Sequence, residues 1–107
     1  MAAFLERFAS PHLGIAYDVA NGVFAGDVQA DAIATCGGFL GQVHLSDATS
    51  ERWDHGAIGS GSIDFIAVAA LLREHGFTGT SIVEVVSQQP DQDMRQGWAS
   101  LRAMGWG

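Results

Sequence analysis

Hydrophobic and polar positions alternate with period two in three short stretches, and between them they recur at helical spacing. HLGIAYD (12–18), LGQVHLS (40–46) and TSIVEVV (80–86) each read as a β-strand with two distinct faces. In the first, Gly14, Ala16 and Asp18 share a face opposite Leu13, Ile15 and Tyr17. In the second, Gln42, His44 and Ser46 oppose Val43 and Leu45, and in the third, Thr80, Ile82 and Glu84 oppose Ser81, Val83 and Val85. Residues 2–9 form a short helical pattern with Phe4, Leu5 and Phe8 on one side, broken at Ser10-Pro11. A loop rich in Asn and Gly follows Asp18. Asp27 is then placed to cap a helix over 28–36 that ends at Gly37-Gly38. Residues 47–61 read as a long loop rich in Gly, Ser and charge. Ser62 is the expected cap of the next helix, IDFIAVAALLREH, with Asp64 against its dipole, Arg73 and His75 in its last turn and Gly76 after it. Pro90 suits the first position of a last helix that carries Met94, Trp98 and Leu101 on one stripe. Gly97 within that helix costs ~1 kcal/mol relative to Ala.

The resulting order is α-βα-βα-βα. Such alternation implies an α/β fold with parallel strands and right-handed crossovers. At 107 residues the chain is expected to form one domain over 1–107, and 48% hydrophobic with 16% charged residues is a globular composition. A formal net charge of -7 argues against nucleic acid or an anionic membrane surface as partner, because both need basic patches. The single cysteine, Cys36, allows no internal disulfide and is expected to be a small buried residue near a helix end. No apolar run reaches the roughly 18 residues of a membrane span. The start, MAAFLERFAS, carries Glu6 and no signal-like apolar run, so a cytoplasmic location is the expectation.

Candidate chemistry sits at the strand ends. Asp18, His44 and Glu84 lie at or near the C-terminal end of each strand, on the face with small or polar neighbours. In (β/α) barrels that face points inward and functional side chains collect at that end. One imidazole with carboxylates suits a divalent cation such as Mn²⁺, Co²⁺, Mg²⁺ or Zn²⁺. Such an ion polarises a carbonyl and stabilises an enediolate, and a neighbouring carboxylate can move a proton at carbon. Each residue also has a plainer reading. Asp18 can cap the segment it enters, and His44 taken alone fits a satisfied core histidine. Glu84, between Val83 and Val85, is costly to bury unless paired or metal-bound.

Four stretches together resemble the C-terminal part of a xylose isomerase-like TIM barrel, of the sugar (phosphate) isomerase/epimerase superfamily, from about Leu13 to Met104. GIAYDVAN resembles that family's strand of glycine, hydrophobic residues and aspartate followed three positions on by His or Asn. QVHLSD resembles its hydrophobic–His–hydrophobic–Lys–Asp strand, GAIGSGSIDF its glycine loop before an Asp-Phe pair, and GFTGTSIVEV its last strand ending in Glu. The resemblance implies a partial (β/α) TIM barrel made of the last three βα units. It also implies Asp18, His44 and Glu84 as metal ligands, with Glu84 doubling as one of two acid/base glutamates. Asn21 and His55 fall at positions near the substrate; in related AP endonucleases the position of His55 is a zinc ligand. Gly59 and Gly61 would shape the loop over the site, and both also read as plain turn glycines. Asp47 fits better as an anchor of that loop than as a chemical group.

The matching strands are the last three of eight, so the resemblance places the second glutamate, which is the fourth ligand, outside this chain. Three strands cannot close a barrel, and the fragment exposes sheet edges. The leading expectation is a divalent-metal-dependent isomerase or epimerase of a sugar or sugar phosphate, incomplete as a single chain, with a homo-oligomer or a complementing subunit as partner. The alternative is a catalytically inactive truncated barrel that serves as an oligomerisation or binding module. A DNA-repair nuclease of the AP endonuclease branch is disfavoured by the acidity.

Overall fold

The computed structural model describes residues Met1–Gly107. The three alternating stretches pair as parallel strands, β1 (Ile15–Asp18), β2 (Leu40–Leu45) and β3 (Thr80–Val83), in the order β1-β2-β3. The register sets Asp18 opposite His44 and His44 opposite Ile82. Five α-helices accompany the sheet: α1 (Ala2–Phe8), α2 (Val19–Ala25), α3 (Gln29–Cys36), α4 (Phe65–Glu74) and α5 (Pro90–Ala103). A 3₁₀ turn at Gly37–Phe39 leads into β2.

The element borders differ from the sequence expectation in four places, each with a local cause. The segment after Asp18 is a helix, not a loop. Asn21-Gly22 reads as a breaker, but Asp18 caps α2 by accepting from the Asn21 N–H at 2.8 Å. Gly22 is needed there because a Cβ would overlap the Tyr17 hydroxyl. The cap before α3 is Val28, with no side-chain hydrogen bond, rather than Asp27. Asp64, not Ser62, caps α4 through the Ala67 N–H at 2.9 Å, while the Ser62 hydroxyl donates to the Ala48 carbonyl at 3.3 Å. The outer strands are also shorter than expected, because each needs a partner on β2. The last ladder bond of β3 is Glu84 N–H to Leu45 O at 3.0 Å, after which Val86 N–H turns to the His55 carbonyl at 2.7 Å.

Helices cover one face of the sheet only. Val43 and Leu45 from β2 pack there with Val19, Ile33, Phe65, Val68, Leu72 and Leu101. Fully burying a Val or Leu is worth about 1.5–3 kcal/mol, so this cluster supplies much of the driving force. Gly97 is explained by the same packing: it is buried, and a Cβ there would stand 3.1 Å from Ile58. The stripe expected on α5 holds at Leu101, whereas Met94 and Trp98 remain exposed. Cys36 is buried at the end of α3 and burial raises its thiol pKa. The other sheet face carries Ala16, Gln42, His44, Thr80 and Ile82 and has no helix against it; Ala16, Thr80 and Ile82 are exposed. The architecture is an α/β partial barrel: one arc of parallel strands, helices outside, inner face open. No helix is long and apolar enough to cross a membrane.

Tyr17, the sole tyrosine, sits half-buried at the rim of the core with its hydroxyl buried and unpartnered. Burial, followed by the negative charges of Asp27, Cys36 and Asp18, pushes its pKa up to about 12. Between the ordinary value near 10 and about 12, the unfolded chain releases a proton that the folded chain keeps. Stability therefore falls with rising pH across that window. Because no other tyrosine contributes, absorbance of the tyrosinate band should titrate in one step near 12; a midpoint at the ordinary value would show that Tyr17 is solvated.

Candidate functional site

Four titratable side chains converge at the C-terminal ends of the strands. Asp18 closes β1 and divides its two oxygens. Oδ1 caps α2, and Oδ2 lies 3.6 Å from His55 Nδ1 and 4.0 Å from His44 Nδ1. His44, on β2, has Nδ1 2.8 Å from Glu84 Oε2 and Nε2 2.9 Å from Gln42 Oε1. Glu84 stands one residue beyond β3 with its side chain about half exposed. Asp18, His55 and Glu84 each offer a ligand atom, and those atoms lie within 4.8 Å of one another.

The chemistry of this donor set fits a cation. Gln42 shares the inner face with His44, and its side-chain oxygen stands 2.9 Å from Nε2, so one ring nitrogen is held from within the strand while the other, Nδ1, points to Glu84. That nitrogen then faces two carboxylate oxygens, Glu84 Oε2 and Asp18 Oδ2. At 2.8 Å the His44–Glu84 contact is a hydrogen bond through a shared proton, and a divalent ion can take that proton's place between imidazole nitrogen and carboxylate oxygen. A metal-binding imidazole is oriented through its other ring nitrogen, and Gln42 stands at that nitrogen of His44.

His55 reaches the site because its loop is pinned from beneath. Asp47, 1% exposed, exchanges backbone bonds with Gly56 at 2.9 Å each way. Its carboxylate accepts from Ala48 N–H at 3.0 Å, Gly59 N–H at 2.8 Å and Ile63 N–H at 3.2 Å. Gly59 adopts φ +94, and a Cβ on Gly61 would overlap Asp47 Oδ1 and the Ala48 carbonyl. Both glycines thus shape the loop that carries His55. Ser46 Oγ holds His55 Nδ1 at 3.0 Å. Asn21, at the mouth, accepts from Trp53 Nε1–H at 2.7 Å.

The structure places His44 beside Glu84 and Asp18, but the group of donor atoms lying within 4.8 Å of one another is Asp18, His55 and Glu84, with His55 where the sequence reading put His44. Gln42, Ser46 and Trp53 escaped the sequence reading. The period-two pattern of β2 already put Gln42 and Ser46 on the face of His44; nothing periodic marks Trp53. The cavities of the fold lie elsewhere, between α4, α5 and Trp106 and beside β1 and α3, so the donor group sits on an open surface.

The double duty of Asp18 can be separated. Asn caps helices as well as Asp does, so Asp18→Asn should change stability by less than about 1 kcal/mol while removing one negative charge from the donor group. Cation affinity, measured by calorimetry, should fall; a large drop in melting temperature instead would show that the carboxylate is mainly structural.

A family model described as "Xylose isomerase-like TIM barrel" matches residues 1–104. No curated protein matches the chain. Among solved structures, a D-psicose 3-epimerase studied with D-fructose is similar with a TM-score of 0.81 at 22% identity, over 98% of this chain and 42% of its own. A 3-keto-D-glucoside 4-epimerase from E. coli gives 0.74 at 28% identity, over 94% of this chain and 36% of its own. A D-tagatose 3-epimerase-like protein gives 0.74 at 26% identity, over 89% and 35%. The chain thus spans less than half the length of each.

Proposed function

The chain belongs to the xylose isomerase-like TIM barrel family, and from that premise we propose that it carries part of the active site of a divalent-cation-dependent sugar isomerase or epimerase. The observation that supports this reading is the convergence of Asp18, His44, His55 and Glu84 at the strand ends, with His44 Nδ1 2.8 Å from one carboxylate oxygen and 4.0 Å from another. Asp18, His44 and Glu84 would hold the ion, with His55 beside them. Two carboxylates with imidazole suit Mn²⁺, Co²⁺, Mg²⁺ or Zn²⁺. When bound, the ion supplies polarisation of a substrate carbonyl and neutralises charge developing on its oxygen.

Glu84 is the proton-moving group. Its half-exposed carboxylate takes the proton from the carbon next to the carbonyl, the C–H electron pair moving toward the carbonyl. Return of a proton to the opposite face of that carbon inverts it; return to the former carbonyl carbon, with the hydroxyl proton of the first carbon passing to the former carbonyl oxygen, isomerises it. A carboxylate from outside these three strands serves the opposite face. Asp18 and His44 would hold the ion at the carbonyl end, and Asn21 and His55 would bind hydroxyl groups.

The open inner face and the unpaired outer edges of β1 and β3 favour a second reading, an association module without turnover. Native mass spectrometry with Mn²⁺ separates the two, because it reports assembly mass and bound ions together. The active-site reading expects an ion retained by the chain and lost in Glu84→Ala. Assembly without any bound ion would favour the module.

A further inference from the structure

The sector built by this chain also discriminates between substrate classes, an inference that rests on the reading of these strand ends as a sugar site. In (β/α) barrels phosphate is frequently held by the loops after the last two strands. Here the segment after β2 holds one cation, Arg52, and it is already engaged: Nε pairs with Asp54 Oδ2 at 2.7 Å and Nη2 donates to the Ser60 carbonyl at 2.9 Å. The segment after β3, EVVSQQ, holds none, and α5 then opens with Asp91 and Asp93. The chain contains no lysine. Arg73 and Arg102 lie in the last turns of α4 and α5, at the opposite end of the strands, and Arg95 is on the exposed side of α5. With Asp18 and Glu84 given over to the ion, a phosphate at this mouth would meet Asp54 and find neither a lysine nor an unengaged arginine on these segments.

The mouth offers an aromatic surface instead. Trp53 is 63% exposed and Phe24 45%, with ring centroids 6.1 Å apart. The Trp53 indole is not loose. Its N–H can only donate, so Asn21 must present its oxygen to it and turn its NH₂ outward. Asn21 is in turn tied to Asp18, and Trp53 lies two residues before His55. An exposed ring held at the edge of a polar site suits the C–H face of a sugar, while the Asn21 NH₂ suits a hydroxyl. We propose that the sugar bound by this sector is unphosphorylated and rests on Trp53, which acts as a specificity determinant.

The test follows the Trp53 indole N–H signal in ¹H–¹⁵N spectra of the full chain with Mg²⁺, assigned by its loss in Trp53→Phe. D-Fructose should shift that signal in a saturable way, and D-fructose 6-phosphate should need at least about tenfold higher concentration. Trp53→Ala should weaken D-fructose binding about tenfold, read from the Asn21 side-chain signal, and Trp53→Phe, which keeps a ring, much less. Equal or tighter binding of the phosphate, or an indole signal unmoved by D-fructose, overturns the proposal. A parallel Mg²⁺ titration of the wild type and Glu84→Ala distinguishes the failures. Cation binding that depends on Glu84 without any sugar response sinks this inference alone, whereas cation binding independent of Glu84 sinks the proposed function.

Discussion

Glu84→Ala should lower Mn²⁺ affinity by roughly 100-fold or more. Losing a partner that merely orients a ligand costs 10–100-fold, and a direct ligand sits at or beyond the top of that range. The substitution removes one of two carboxylates from the donor group and leaves His44 Nδ1 without its 2.8 Å neighbour. The fold should hardly notice. The Glu84 side chain is about half exposed, and the ladder bond to Leu45 comes from its backbone N–H, which Ala retains. Glu84→Gln sharpens the test. An amide keeps the size of the side chain and can donate to or accept from His44 Nδ1, but it carries no charge for an ion, so this variant should stay folded and still fail to bind Mn²⁺. Calorimetric affinities beside thermal melts would decide. Unchanged affinity with unchanged melting would remove Glu84 from the ligand set.

Asp47→Ala should be the most destabilising single change near the site, by about 3 kcal/mol or more. Three backbone N–H groups converge on a carboxylate that is 1% exposed. A buried donor left without an acceptor costs about 1–3 kcal/mol, and the whole fold of a small domain is worth only about 5–15 kcal/mol. Asp47→Asn should be milder, near 1–2 kcal/mol, since its oxygen can still accept from Ala48 and Ile63 while its NH₂ faces the Gly59 N–H. Urea unfolding measures both. The loop that carries His55 hangs on this anchor, so the weakened variants should also bind cations less tightly. A stability loss in Asp47→Ala no larger than that of a surface substitution would mean that water replaces the carboxylate.

Much of this was legible along the chain. Period-two alternation located all three strands and placed Asp18, His44 and Glu84 on their inner faces, because side chains of a strand can only alternate. The α/β order followed, as did the parallel sheet, since a helix between strands returns the chain to the same end. Borders were less legible. The ends of β1 and β3 depend on where β2 stops, which no local pattern records. Helix α2 escaped because Asn21-Gly22 signals a turn, whereas Asp18 caps that segment and Gly22 is there to leave room for the Tyr17 ring.

The residue types at the strand ends, the acidic charge and the absence of lysine were settled by sequence, because each is a property of single residues or of neighbours two apart. Which of those residues meet was decided by the tertiary structure. His55 is 37 positions from Asp18 in the chain and 3.6 Å from it in space, and Trp53 and Asn21 join across 32 residues. These contacts run through a loop whose path is set by the buried Asp47 carboxylate and by the two glycines that crowd it. Loop paths carry no period, so only the packed structure could reveal them.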